Sequence, residues 1–173
     1  KTREFSTQNP VLNLKMTENG NILTILDKQN YSGAIEIYDK TGLPLFTWSA
    51  GSVIFVDAAL SPNGRTLAIS SITTENAVVD CQIKMFDIYK DSKPYAENSF
   101  SGNMISQLKW ANNSRLVGVG DKSLIAFDKK GNQKWEYPYD DKVLNFVSIN
   151  DKNNMVLALG TDSLYQNMTI KSI

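Results

Sequence analysis

The sequence predicts an all-β fold built from repeats, and two observations lead to it. Asn-centred turn signals recur along the 173 residues, at Asn19, Asn63, Asn113 and Asn153, with spacings of 44, 50 and 40 residues. Runs rich in apolar and β-branched residues, typical of strands, flank each of these turns. We find no apolar stripe with the helical period that is long enough for a packed helix.

The turn signals indicate tight hairpins. Asn-Gly is the favoured dipeptide of a two-residue hairpin loop, because both of its central positions need positive φ. Two of the four turns contain it, at Asn19-Gly20 and Asn63-Gly64. The other two contain Asn113-Ser114 and Asn153-Asn154, which are weaker signals but still tolerate that conformation.

Each repeat supplies its strands in the same order. The strand before the turn is predicted at 11–16, 54–60, 104–110 and 143–149. The strand after the turn is predicted at 22–26, 66–72, 116–119 and 155–159. A third strand follows at 34–39, 82–87, 123–128 and 168–173, and a fourth at 43–48, 94–100 and 133–137. The alternation of Ile35 and Ile37 with Glu36 indicates a half-buried strand.

Four antiparallel strands that repeat every 40 to 50 residues are typical of a propeller blade. We therefore expect a β-propeller-type array of about four four-stranded antiparallel blades, forming part of a larger propeller. The single domain covers 1–173, with blades at about 11–50, 53–102, 104–141 and 143–173. Residues 1–8 are the candidate for a strand that closes the ring.

Short motifs resemble known propellers. The turn 60–65 (LSPNGR) is similar to a turn of WD40-like propellers, and 127–135 (FDKKGNQKW) is similar to quinoprotein-like, PQQ-type repeats. The stretch from Gln107-Leu108-Lys109-Trp110 through Leu157 resembles the DUF5711 family of Gram-positive bacteria, and the resemblance extends over the chain, most clearly over 54–160. That resemblance implies an extracytoplasmic propeller held by an N-terminal transmembrane helix outside this chain, and it transfers no catalytic residue.

Composition argues against several classes of function. The net charge is zero, whereas a nucleic-acid-binding domain usually carries a basic surplus. The sequence has no run of 18 apolar residues that would span a membrane. It also has no His and a single Cys, so a Ser-His-Asp triad and a CxxC metal site are both ruled out. We interpret Cys81 as a structural residue of a strand.

Two groups of residues have both a functional and a structural interpretation. Asp39, Asp87 and Asp128 end the third strands, where they either form a ring of carboxylates for a cation or cap their own turns. The aromatic group either forms a ligand-binding surface or packs between blades; its members are Trp48, Trp110, Trp135, Tyr38, Tyr137 and Tyr139. We favour the structural interpretation of both groups.

Two further segments contain residues that could form a catalytic or ligand-binding site, but their sequence context favours a structural role. The segment 137–142 (YPYDDK) places two carboxylates side by side, but we interpret it as a solvated loop between blades. The glycines of 117–121 (VGVGD) open no helix, so we attribute them to a close backbone approach within a strand and not to a nucleotide site.

These observations favour a non-catalytic binding or scaffolding module. We assign no catalytic, cofactor-binding or metal-binding residue, and we expect no cofactor and no nucleic acid partner. A protein or cell-envelope ligand would bind through loops on one rim, notably 73–79 and 89–98. The alternative is a fragment of a propeller enzyme, either a hydrolase or a quinoprotein-like oxidoreductase, whose catalytic residues lie outside this chain.

Overall fold

The structure, a computed structural model, describes residues 4, 6–28, 32–51, 53–75, 78–139, 142–150, 155–162 and 168–172. Within these residues all regular structure is β-strand, in four antiparallel sheets. The first sheet contains β1 (Val11–Met16), β2 (Ile22–Asp27), β3 (Gly33–Tyr38) and β4 (Pro44–Ala50). The second contains β5 (Ile54–Leu60), β6 (Thr66–Glu75), β7 (Val78–Asp87) and β8 (Ala96–Ser101).

The third and fourth sheets continue the series. The third contains β9 (Ile105–Asn112), β10 (Arg115–Gly120), β11 (Ser123–Asp128) and β12 (Gln133–Pro138). The fourth contains β13 (Lys142–Asn150), β14 (Met155–Asp162) and β15 (Met168–Ser172). Within every sheet the strands lie side by side in chain order. The all-β prediction is therefore confirmed, and the strands predicted at 11–16, 54–60 and 123–128 coincide with β1, β5 and β11.

The first three sheets pack face to face in succession. One apolar core lies between the first and second sheets and includes Leu23, Ile35 and Phe86. Another lies between the second and third sheets and includes Met85 and Phe127. The first three sheets therefore bury apolar side chains against one another, which is how the blades of a propeller are stabilised.

The first strands of the sheets meet at the inner edge of the array. The buried carboxylate of Asp57 on β5 accepts a hydrogen bond of 2.7 Å from the backbone N–H of Leu108 on β9. Its other oxygen lies 2.5 Å from the ammonium of Lys15 on β1. One side chain thus joins three sheets, and both of its oxygens have partners.

The hairpin turns differ from the predicted two-residue loops. The N–H of Gly20 donates to the carbonyl of Thr17, so the central residues of that turn are Glu18 and Asn19 and not Asn-Gly. The N–H of Gly64 donates to Ser61 in the same way. The glycines follow the turn with φ of 85° and 69°, because a longer loop needs a left-handed residue there to match the twist of its strands.

The segment 73–79 was predicted to be a variable connection, and this is wrong for most of it. Thr73, Thr74 and Glu75 on β6 pair with Asp80, Val79 and Val78 on β7. Within the described residues, β5 pairs with β6 only as far as Ile72. The two-stranded ribbon formed by the ends of β6 and β7 therefore extends beyond the end of β5. The segment has β-branched residues and no Gly or Pro, which favours a strand over a loop.

Other predictions fall partly outside the described residues. Of the expected closing strand at 1–8, residues 4 and 6–8 are described and lie in no strand. The turn at Asn153 lies outside the described residues, although β13 and β14 pair on either side of it. The close approach predicted at Gly118 and Gly120 is confirmed, because a Cβ on Gly120 would lie 2.3 Å from the Asn103 side chain.

Candidate binding groove on the turn rim

One edge of the array carries two turns from each of its first three sheets. Because consecutive strands are antiparallel, the turn between the first and second strands lies at the same edge as the turn between the third and fourth. We call this edge the turn rim; its turns are 17–21, 39–43, 61–65, 88–95, 113–114 and 129–132.

The asparagines that mark the repeat contact one another along the turn rim. Asn19 donates from Nδ2 to the backbone carbonyl of Asn63, at 3.2 Å. The backbone N–H of Asn63 donates to Oδ1 of Asn113, at 2.8 Å. A Cβ at Gly64 would lie 2.5 Å from Nδ2 of Asn19, so a larger residue there would displace the Asn19 side chain. The sequence anchors of three repeats therefore form one continuous line of hydrogen bonds.

The aspartates at the ends of the third strands cap their own turns. Oδ1 of Asp39 accepts the backbone N–H groups of Thr41 and Leu43, at 2.7 and 3.0 Å. Oδ1 of Asp128 accepts those of Lys130 and Asn132, at 2.9 and 3.0 Å. These are Asx-type turns, so the structural interpretation of the aspartates is confirmed.

These hydrogen bonds favour the ionised carboxylates. The hydroxyl of Thr41, followed by the N–H of Leu43, lowers the pKa of Asp39 from its ordinary value. The side chain of Asn132 has the largest effect on Asp128, and that pKa is held well below its usual range. Each turn therefore carries a negative charge at neutral pH, and the carboxylate that bears this charge is already hydrogen-bonded within the turn.

A groove opens on the turn rim between the second and third sheets. It encloses about 490 Å³, which lies within the range of ligand sites, about 300–1,000 Å³. Four of its lining side chains are basic and two are acidic: Arg65, Lys90, Lys93 and Lys129, with Asp87 and Asp91. Four basic minus two acidic side chains leave the groove with a surplus of two positive charges, whereas the net charge of the whole chain is zero.

Hydrogen bonds between the sheets hold the walls of the groove. The hydroxyl of Tyr95 donates to the backbone carbonyl of Lys129, at 2.7 Å. Nδ2 of Asn98 donates to the carbonyl of Gly131, at 3.0 Å. Gly131 has φ of 86°, and a Cβ on it would lie 2.3 Å from Cβ of Ala96. The turn of the third sheet is thus seated against β8, so contacts within the protein hold this wall of the groove.

Arg65 and Asp87 form an ion pair in this groove. Nε and Nη2 of Arg65 both donate to Oδ2 of Asp87, at 3.1 and 2.9 Å. Burial alone would raise the pKa of Asp87, but the hydrogen bonds from Arg65 and from the N–H of Tyr89 outweigh it, so this pKa is lowered. The pair neutralises itself, and the exposed lysines supply the positive charge of the groove.

The aromatic residues do not form one surface. Trp48 packs against Phe55 and Phe86 of the second sheet, with ring centroids 5.4 and 5.1 Å apart. Nε1 of Trp110 donates to the carbonyl of Ala59 in the second sheet, at 3.0 Å. Packing between blades is therefore confirmed for these two tryptophans.

The remaining aromatic residues have partners on their own sheets. Trp135, Tyr137 and Tyr139 pack against the apolar residues of the third sheet, and the Tyr139 hydroxyl donates to the carbonyl of Gly120. Burial, followed by the neighbouring Glu36 carboxylate, raises the pKa of Tyr38 to about 12. The adjacent carboxylates at 140 and 141 lie outside the described residues.

Cys81 is buried in β7, as the structural interpretation requires. Its Sγ lies 3.5 Å from Oγ of Ser70 and accepts the N–H of Ile105, at 3.3 Å. Among the described residues, no group of three or more His, Cys, Asp or Glu is placed to hold a metal ion. The same part of the chain contains no helix with the length and hydropathy of a membrane span.

The folds of known proteins place this architecture among the β-propellers. The C-terminal WD40 domain of Sif2 superimposes with a TM-score of 0.67 at 17% identity, over 98% of this chain and 45% of that one. Hydrazine synthase of Kuenenia stuttgartiensis gives a TM-score of 0.64 at 10% identity, over 92% and 58% of the two chains. A protein of unknown function from Bacteroides caccae gives 0.56 at 10% identity, over 99% and 63%.

The chain belongs to DUF5711, a family of unknown function, whose model matches residues 1–171. No curated protein is significantly similar to it. The chain spans about half the length of these three solved structures, from 45% to 63%. At these identities the likeness shows the fold, whereas function depends on the site.

The sequence pointed to only part of the groove. The segment 89–98 was predicted as a rim connection, and it supplies Lys90, Asp91, Lys93 and Tyr95 to the lining; its last three residues belong to β8. The contribution of Arg65 and Lys129 was not predicted. Arg65 follows the 61–64 turn and Lys129 lies within the 128–131 turn of the next repeat; antiparallel pairing places both turns at the same edge, and that was the available clue.

Proposed function

We propose that the protein is a non-catalytic binding module that holds a protein or cell-envelope ligand in the groove of the turn rim. The observation that carries this proposal is the groove itself, a cavity of about 490 Å³ with a surplus of positive charge between two sheets. Its walls are joined by the contacts from Tyr95 and Asn98 to the third sheet. A site whose walls are held by hydrogen bonds within the protein loses little conformational entropy when a ligand binds.

Site-specific photo-crosslinking tests the proposal. A photoreactive residue replaces Lys93 in the groove or, as the matched control, Lys122, which is an exposed lysine at the opposite edge of the third sheet. Each protein is irradiated with an envelope fraction of the cells that express it. We expect a discrete product from position 93, suppressed by an excess of unmodified protein, and none from position 122.

Equal products from both positions, or none from either, would overturn the proposal. Turnover of a small substrate by the purified protein, lost on substitution of groove residues, would also contradict a non-catalytic role.

We further propose an extracytoplasmic location, on a membrane anchor in the full-length protein of a Gram-positive cell. The support is membership of DUF5711, together with the anchored, extracytoplasmic architecture that the family resemblance implies. Protease added to intact cells should degrade the propeller while a cytoplasmic marker stays whole. Protection of both proteins until the membrane is opened would contradict this location.

A further inference from the structure

We infer that the groove of the turn rim recognises an acidic polypeptide segment; this rests on the proposed function and names its ligand class. Lys90, Lys93 and Lys129 are exposed lining residues, and they face a site whose only carboxylates among the described lining residues are Asp87 and Asp91. A ligand carboxylate that pairs with one exposed lysine gains about 1.4- to 5-fold in affinity. Several such pairs together make a usable binding site.

The arrangement of the charges favours carboxylates over a polyphosphate. Arg65 already donates from Nε and Nη2 to Asp87, so one edge of its guanidinium, the group best matched to phosphate oxygens, is occupied. The other basic groups are ammoniums, which act as separate point charges. Each pairs with a single carboxylate on a separate side chain of a ligand.

The Asp91 carboxylate inside the groove argues for a polypeptide. Asp91 is exposed among the lysines, and its Oδ1 accepts the N–H of Lys93, at 3.3 Å. Asp87 is neutralised by Arg65, but a polymer with a charge on every unit would meet the Asp91 carboxylate and be repelled by it. A peptide can place glycine or serine opposite Asp91 and glutamate or aspartate opposite the lysines.

Neutral polar groups complete the lining. Asn113 and Ser114 from the β9–β10 turn border the groove, and amide and hydroxyl groups are suited to hydrogen bonds with peptide N–H and C=O groups. The Asn113 side chain is fixed by its contact with the N–H of Asn63. The groove therefore combines charge selection by lysines with polar contacts to a ligand backbone.

The test uses a ten-residue probe peptide with four glutamates spaced by glycine and serine. Binding is followed by amide chemical shifts of the protein, which detect weak complexes and report the site. We expect shifts at 90–95 and 113–114, and an affinity that falls with added salt. A matched peptide with four glutamines should bind at least several-fold more weakly.

Two charge-matched double variants locate the contact. Lys90→Gln/Lys129→Gln removes two groove lysines and should weaken binding of the glutamate peptide about 2- to 25-fold, the product of two exposed pairs. Lys40→Gln/Lys122→Gln removes two exposed lysines elsewhere and should leave the affinity nearly unchanged. Thermal unfolding of both variants shows whether either one has lost its fold.

Each outcome decides the inference. The inference would be overturned if the glutamine peptide bound as well as the glutamate peptide, or if both double variants weakened binding equally. It would also be overturned if polyphosphate displaced the peptide at a concentration of negative charge lower than that of the peptide. If crosslinking at position 93 captures a partner while the glutamate peptide does not bind, the ligand class is wrong and the proposed function stands. If neither experiment gives a complex, both proposals fail.

Discussion

The two edges of the array that carry turns are built in different ways. On the turn rim, polar side chains join neighbouring sheets, as in the line from Asn19 through Asn63 to Asn113. At the opposite edge, the projecting ribbon of β6 and β7 borders a smaller cavity of about 240 Å³. The lining of that cavity includes the apolar side chains of Val79, Phe100 and Met104.

The difference shows what a change of connection does in a repeat fold. In the second sheet, a long irregular segment after β7 supplies charged side chains to the turn rim, whereas a long regular hairpin between β6 and β7 extends the opposite edge as paired strand. Irregular backbone leaves polar groups available at a site, while a ribbon satisfies them internally. The four predictions below test this contrast, beginning with the largest effect.

Gly131→Ala should cause the largest loss of unfolding free energy, because it displaces the turn that forms one wall of the groove. An alanine at φ of 86° is strained by about 1–2 kcal/mol, and its Cβ would overlap Ala96 at 2.3 Å, which adds about 1–3 kcal/mol. Urea unfolding should show a loss of about 2–5 kcal/mol. Gly51→Ala, where no atom lies within 4 Å of the new Cβ, is the control, and equal losses in both variants would contradict this packing.

Asp57→Ala should rank second, because both edges depend on the inner strands that Asp57 joins. The variant leaves the buried N–H of Leu108 without its acceptor, at a cost of about 1–3 kcal/mol. Asp57→Asn keeps an oxygen for that N–H and loses only the pair with the partly exposed Lys15, which is worth about 1 kcal/mol or less. Equal urea midpoints for wild type and Asp57→Ala would contradict a stabilising role for the contacts that Asp57 makes between the sheets.

The ion pair of Asp87 and Arg65 should make a smaller, pH-dependent contribution. The pKa of Asp87 is lowered in the folded protein, so the unfolded chain binds more protons between that pKa and the ordinary 3.8. The stabilisation is therefore present above 3.8 and is lost as pH falls through the lowered pKa. For this exposed pair it amounts to less than about 1 kcal/mol.

Unfolding free energies of wild type and Asp87→Asn, measured from pH 2 to pH 7, check this expectation. The wild type should be the more stable protein at neutral pH, and the difference should shrink at acid pH. Asp39 and Asp128 are present in both proteins, so their contributions cancel in the difference between the two unfolding free energies. A difference that grows as pH falls would contradict the sign of the shift.

Asp91→Asn should have the smallest effect, and it is the one change expected to improve binding. It removes a negative charge from the groove while keeping an oxygen that accepts the N–H of Lys93. The affinity for the glutamate peptide should rise about 1.4- to 5-fold, as expected for one exposed charge. Asp121→Asn at the opposite edge should leave it unchanged, and a gain of equal size there would point to a general effect of net charge.

The fold could be predicted from the sequence because local signals and the global pattern agree. Alternation in runs such as 34–39 and the Asn-centred turns both require short antiparallel strands, and β3 and its neighbours follow. The ribbon at 73–79 was missed because a variable segment was equated with a loop, although Thr73, Thr74, Val78 and Val79 are β-branched. Its backbone preference was the better guide.

The groove could not be predicted in the same way because it lies between sheets. Lys129 and Tyr95 are 34 residues apart, and no local pattern gives the distance between two repeats. The sequence did mark the segment 89–98 and the asparagine anchors. What brings them together is the packing of the second sheet on the third, which depends on the apolar core and on Gly131.

Hydrogen exchange of the backbone amides tests the central claim most directly. The partner isolated by crosslinking is mixed with the unmodified protein, and exchange is compared with that of the free protein. Binding on the turn rim predicts slower exchange at 88–95, 113–114 and 129–132, with no change at 102–104 and 121–122. Protection confined to 102–104, 121–122 or the ribbon would place the ligand at the opposite edge and contradict the account.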